Sequence, residues 1–338
     1  MDEEQYSSYW DYNYSYGNFL NESNVCEMGN YFVFYTHFTT VLYTLVFLLS
    51  LLGNTLVLWI LFKYENLTSL TNTFIMNLCV SDLVFSCMLP FWAVDQSFGW
   101  IFGEFLCKAV NAIFSIGYYS GVFFLTLMTI LRFLSVVSPL STLRSQTQYF
   151  GSLVCLFVWT CSILIVIPEM IHTTVLGTLG EVSICDYDNL KWKNMDIYLR
   201  NILFLISFGI IVICYTNILI ILLSSRSRRT HRTVKLILVI VVAFFLSWAP
   251  YNILSFLLTF QPSTCQYEKD TLLAFHISRK IAFSHCCLNP VLYVFAGVKF
   301  KRHLIRLCRQ YLPCGSDEVS SPRVGSQGNF HYEDASIY

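Results

Sequence analysis

Seven separate stretches of this chain are apolar over about the length a helix needs to cross a bilayer. They lie near 33–62, 70–94, 105–136, 149–172, 197–223, 233–260 and 271–297. About 20 apolar residues cover the hydrocarbon core. Lipid offers no partner to a backbone N–H or C=O, so each stretch has to be helical. Composition agrees. Hydrophobic residues make up 55% of the 338 and charged residues only 12%, against roughly 25% charged in a soluble domain. The connections are short except for 173–196, so successive helices should be neighbours. The fold class expected is an all-α membrane protein, a seven-transmembrane helix bundle.

Lys and Arg placement sets its direction. With the N-terminus extracellular, fourteen basic residues fall on the cytoplasmic side and seven on the outside. An odd number of spans then puts the C-terminus inside. Residues 1–32 have no basic n-region and no apolar h-region, so the first span is expected to serve as an uncleaved anchor. Four regions follow: an extracellular arm at 1–32, the bundle at 33–297, a short amphipathic helix at 298–310 and a cytoplasmic tail at 311–338. In 298–310, Phe300, Leu304, Ile305 and Leu307 recur at helical spacing among basic residues, which suits the anionic inner leaflet. Cys308 and Cys314 are placed for palmitoylation, and plain free thiols read equally well.

The arm is acidic and aromatic. Asp2, Glu3, Glu4, Asp11, Glu22 and Glu27 are interleaved with Tyr6, Tyr9, Tyr12, Tyr14 and Tyr16, with no Lys or Arg. Such a segment attracts a basic partner. A solvated disordered tail has the same composition; the missing bases favour the partner. Over the whole outer side, fifteen acids face seven bases. Asn13 and Asn21 lie in glycosylation sequons, and Asn21 is the better acceptor because Asn13 sits inside the tyrosine cluster. Asn66 also matches but falls on the cytoplasmic side.

Ionisable groups inside a span are costly and point to function by default. Asp82 lies mid-way along the second stretch, with Asn54 in the first and Asn289 in the seventh. Facing one another, they would form a polar cluster able to hold a proton or a cation; hydrogen-bonded glue between helices fits as well. Pro90, Pro168, Pro250 and Pro290 interrupt four of the spans and are expected to kink them. No nucleophile–base pair, phosphate-binding glycine loop or metal-ligand spacing points to an enzyme. The cysteines show no zinc pattern, so no metal is expected, and nothing suggests nucleic acid.

Six motifs now stand in order, each in its own span. They are Gly53–Val57 (GNTLV), Asn77–Asp82 (NLCVSD), Cys107 with Arg132 twenty-five residues later, Trp159, Trp248-x-Pro250 and Asn289-Pro290-x-x-Tyr293. Together they resemble the rhodopsin-like G-protein-coupled receptors. Trp92 two residues after Pro90, Cys26 with Cys265, the short basic third cytoplasmic loop and ICYTNILI at 213–220 look like the chemokine receptors. VVSPLSTLRS, RRTHRTVKLI, AFSHCCLNPVLYVF and GVKF are similar to the XC branch.

The resemblance implies a multi-pass plasma-membrane receptor for a basic chemokine of the XC class, lymphotactin. It implies an inhibitory-type heterotrimeric G protein and arrestin inside, with calcium release and chemotaxis downstream. It implies sulfated arm tyrosines and the disulfides Cys107–Cys185 and Cys26–Cys265; the four outer cysteines alone allow three pairings. It places Tyr43, Trp92, Tyr118, Tyr119, Tyr251, Arg279 and Lys280 around the ligand's N-terminus. It assigns activation and coupling to Asn54, Asp82, Arg132, Tyr215, Trp248, Pro250, Asn289, Pro290 and Tyr293, with a sodium ion expected near Asp82 and no other cofactor.

The chain departs from the family in four places. Arg279 stands where many chemokine receptors carry Glu, which moves the ligand's amino end toward Glu169 or Asp95. The family's Asp-Arg-Tyr reads Leu131-Arg132-Phe133, which implies a looser resting state. Ser207 replaces a usual proline, and Met88 a frequent Thr. The altered Arg132 motif also suits a non-signalling chemokine scavenger. A transporter or channel is the other class, and no inverted repeat supports it.

Overall fold

The computed structural model describes residues 29–67, 69–137, 148–177, 183–224, 228–260 and 265–296, with Arg302, Leu304 and Ile305 beyond them. The elements are α1 (Gly29–Tyr64), α2 (Leu70–Ser86), α3 (Leu89–Phe98), α4 (Gly103–Val137), α5 (Gln148–His172), β1 (Thr173–Leu176), β2 (Ile184–Tyr187), α6 (Leu190–Ser224), α7 (Arg228–Leu258), α8 (Cys265–Phe283) and α9 (His285–Ala296).

The helices form the expected bundle. Helix α4 runs through its middle, packed against α2, α5, α6 and α7, while α1 covers α2, α3 and α9. Large apolar side chains are inverted relative to a soluble protein. Phe62, Phe157, Leu156, Ile213 and Leu246 stand outward and exposed, a surface that lipid covers. Inside lie Phe85, Phe124, Leu125 and Trp248, together with buried Ser, Asn and Asp.

Two spans are broken into pairs of helices, and the breaks correct the expected kinks. The second span is α2 followed by α3, and the turn falls at Cys87–Met88. Pro90 is the second residue of α3, where no intrahelical N–H is required of it. The last span is α8 followed by α9, interrupted at Ser284 rather than at Pro290. Pro168, Pro250 and Pro290 each lie inside a helix. The other spans, with α2 and α3 as one, are long and apolar enough to cross a membrane individually. The last one buries Lys280 in the protein instead.

Proline 290 has a local consequence. Without an N–H it leaves the Cys286 carbonyl four residues back unpaired. Helix α1 supplies the substitute: Asn54 Nδ2 donates to Cys286 O at 3.0 Å and Ser50 Oγ at 3.4 Å. A Cβ on Gly53 would approach Pro290 to 2.8 Å. Small and amide residues on α1 thus seat it against the proline-bearing turn.

The long connection is an antiparallel hairpin, with Thr173 opposite Tyr187 and Leu176 opposite Ile184. It is tied to α4 twice. Cys185 is disulfide-bonded to Cys107, with Cα atoms 5.6 Å apart. The Glu104 carboxylate accepts from Val175 N at 2.8 Å and Thr174 Oγ1 at 3.1 Å. Beyond α9, Arg302, Leu304 and Ile305 are helical, with Arg302 and Ile305 exposed.

Candidate functional site

The outer half of the bundle holds a buried charged cluster between α5, α6 and β2. Arg200 donates from Nη2 to Asp196 Oδ2 at 2.8 Å and from Nη1 to the Tyr251 hydroxyl at 3.2 Å. Glu169, on the adjacent α5, is only 7% exposed. Arg200, Asp196, Tyr119 and Tyr187 all lie within electrostatic reach of Glu169 or of each other. Burial raises the Tyr187 hydroxyl's pKa far above its ordinary value, so it stays a neutral donor. A cavity of about 30 Å³ opens here, lined by Ile165, Pro168, Glu169, Tyr187, Trp192 and Asp196 among others.

The opposite wall is basic. Arg279 and Lys280 stand on α8. Arg279 faces Asp95 of α3. Lys280 is turned toward α1, with its ammonium 5.9 Å from the Phe38 ring. Of the expected pocket aromatics, Trp92 is half-buried near Phe114 and Trp100. Tyr251 stacks on Phe275 at 5.4 Å. Tyr43, Tyr118 and Tyr119 lie deeper, each no more than 2% exposed. Tyr43 is packed against Phe283 between α1 and α8, so these three form the floor rather than the open wall.

Below that floor an aromatic stack reaches the polar centre. The Arg200 guanidinium sits 5.8 Å from the Tyr118 ring, and Tyr118 lies 4.3 Å from Trp248. Trp248 is fully buried and packs on His285 at 5.3 Å. His285 Nε2 is 3.5 Å from Asp82 Oδ1, and Asn289 Nδ2 donates to Asp82 Oδ2 at 2.7 Å. The expected Asp82–Asn289 contact is present. Asn54 instead bonds Ser50 and the Cys286 carbonyl. Nearby, the Ser81 and Ser120 hydroxyls are 2.8 Å apart.

His285 was legible only as one polar residue in an apolar stretch. Its Nδ1 is 2.8 Å from the Ala282 carbonyl, which can only accept, so Nδ1 carries a hydrogen. A hard cation takes several oxygen ligands. Both Asp82 oxygens face nitrogen groups, so the residues present fit a sodium ion poorly.

At the inner end, Arg132 Nη2 donates to Thr71 Oγ1 of α2 at 2.9 Å, and Tyr215 lies alongside. Leu131 and Phe133 pack against the core. Thr71 was missed because nothing distinguishes one Thr at the inner end of a span until its neighbour is known. Trp159 donates to Asn77 Oδ1 at 3.0 Å, joining α5 to α2. Tyr293 lies on α9. Arm residues 1–28, with Asn13, Asn21 and Cys26 and its pairing to Cys265, and likewise Cys308 and Cys314, fall outside the described residues, while 29–32 already belong to α1.

A family model described as 7 transmembrane receptor (rhodopsin family) matches residues 53–293. The chain is 53% identical to human Chemokine XC receptor 1 over 322 residues, covering 94% of this chain and 95% of that protein. It is 50% identical to the mouse Chemokine XC receptor 1, with 94% and 96% covered. Human C-C chemokine receptor type 8 is 38% identical over 275 residues, with 78% and 77% covered. With charged residues at the outer end, a packed aromatic column and a half-buried arginine at the inner end, the chain belongs to the rhodopsin family of seven-transmembrane receptors and, within it, to the chemokine receptors.

Proposed function

We propose that this multi-pass plasma-membrane receptor captures a basic chemokine of the XC class, lymphotactin, and activates an inhibitory-type G protein, leading to calcium release, chemotaxis and arrestin recruitment. The observation that carries this reading is the identity of about half with two Chemokine XC receptors over nearly the whole of each chain. The acidic arm supplies long-range attraction for a basic ligand. Ligand in the outer pocket presses on the Tyr118–Trp248 contact, and α7 pivots near Pro250, freeing Arg132. The ligand must bind the active arrangement more tightly, or no population shifts. The receptor does no covalent chemistry; it is not an enzyme.

The test is a chemokine panel, lymphotactin included, applied to cells with the receptor at the surface. Binding, calcium and migration are read with and without a toxin that uncouples inhibitory G proteins. Toxin-sensitive responses to lymphotactin support the reading. Silence toward lymphotactin overturns the XC assignment. Internalisation without a G-protein response supports the scavenger reading, which Leu131 and Phe133 raise and the retained Arg132, Asn289-Pro290-x-x-Tyr293 and basic loop 226–235 lower.

A further inference from the structure

We infer that Arg200 is a fixed post on α6 and that its hydrogen bond to the Tyr251 hydroxyl is a latch, which holds the outer half of α7 in its resting position and opens when α7 pivots. The inference rests on the reading of α7 as the moving helix and adds the restraint that this motion has to overcome. Arg200 and Asp196 are one turn apart on α6, with side chains only 12% and 14% exposed, and Nη2 donates to Asp196 Oδ2 at 2.8 Å. An acid four residues before an arginine pairs with it along one helix face. The Glu169 carboxylate adds to the negative field around the guanidinium. A buried charge is costly to leave uncompensated, so Arg200 stays on its acids when other neighbours move.

Tyr251 follows Pro250 directly, on the part of α7 that swings when the helix bends there. Its hydroxyl receives Arg200 Nη1 at 3.2 Å, the long end of the range for such a bond, so a shift of about 1 Å breaks it. The Tyr251 ring stacks on Phe275 of α8 at 5.4 Å and meets Trp248 edge-on at 5.6 Å. Held on two sides, its hydroxyl moves with the helix. The Arg200 guanidinium also lies 5.8 Å from the Tyr118 ring of α4, so α4, α6 and α7 meet at one side chain. A second polar link, from the Tyr198 hydroxyl to Thr259 Oγ1 at 3.3 Å, stands further out. Only an interaction that differs between two states shifts the balance between them. The latch meets that condition, because one partner is anchored by charge and the other rides on the moving segment. A guanidinium suits the post: its planar fork serves Asp196 and Tyr251 together, which a single ammonium does not reproduce.

The test uses purified full-length receptor in lipid discs without ligand. Nucleotide exchange on an inhibitory-type G protein is measured, and paired spectroscopic labels follow the distance between the inner ends of α4 and α7. Tyr251→Phe removes one oxygen and keeps the ring. It should raise ligand-free exchange by about fivefold and enlarge the population with the inner ends apart. Arg200→Lys, which keeps a charge for Asp196 and loses the fork, should do the same. The double variant should rise no further than either single one, because both remove the same bond. The inference is overturned if Tyr251→Phe leaves both readouts at their native values or lowers them, or if the two effects multiply. Should Arg200→Lys fail to fold, Tyr251→Phe decides alone. The label distance needs no G protein, so a receptor that does not couple is judged by it. Lymphotactin does not enter these measurements: a native receptor that ignores it contradicts the chemokine reading, while the latch stands or falls on the ligand-free result.

Discussion

At the scale of single residues, the resting state turns on what holds Arg132. The usual neighbouring acid is Leu131, and the described contact is a neutral one, from the guanidinium to Thr71 at 2.9 Å. A hydrogen bond to a charged group contributes about 1.5 kcal/mol or more when buried and less at a half-exposed end. Thr71→Ala should therefore raise ligand-free nucleotide exchange by roughly fivefold, on the order of 1 kcal/mol. Leu131→Asp should lower it by supplying an ion-pair partner. Both are read as basal exchange per surface receptor; an unchanged or higher signal from Leu131→Asp removes the idea that Arg132 is loosely held. Single residues were also where reading the sequence fell short. Asp82, Asn289 and Arg132 stood out because charge and amide groups are rare in spans. Thr71 and His285 acquired meaning only from what lies across from them, which spacing along one chain does not specify.

At the scale of elements, helix contact depends on residues that have almost no side chain. A Cβ on Gly117 would sit 2.8 Å from the Phe85 backbone nitrogen, and backbone cannot move aside as a flexible side chain can. Gly117→Ala should separate α4 from α2, cost about 1–3 kcal/mol and reduce the folded fraction at the surface. Thermal stability in detergent checks this. A melting temperature equal to that of the native protein would mean the two helices have slack. Hydropathy and motif order made the spans and their sequence legible. They did not locate the breaks at Cys87–Met88 and Ser284, because a proline announces a missing hydrogen bond without fixing where the chain turns. The hairpin at 173–187 was also not read in advance: its pairing depends on the anchorage of Cys185 to Cys107 and of Val175 to Glu104, not on a strong strand pattern.

At the scale of the whole molecule, charge is segregated by side. The outer surface carries an excess of eight acids over bases in the sequence, concentrated in the arm. Capture of a basic ligand should then be electrostatically steered. Raising salt from low to high ionic strength should slow association by about tenfold or more, while dissociation changes less, since exposed charges are screened and buried ones are not. Association measured on receptor in lipid discs tests this; equal rates at all salt concentrations would assign the arm no role in capture. The most direct test of the account joins the two ends of the molecule. Purified receptor in lipid discs is mixed with an inhibitory-type G protein, and nucleotide exchange is followed as lymphotactin is added. The account predicts dose-dependent acceleration above the ligand-free rate. Saturable binding of lymphotactin with exchange fixed at that ligand-free rate would contradict it.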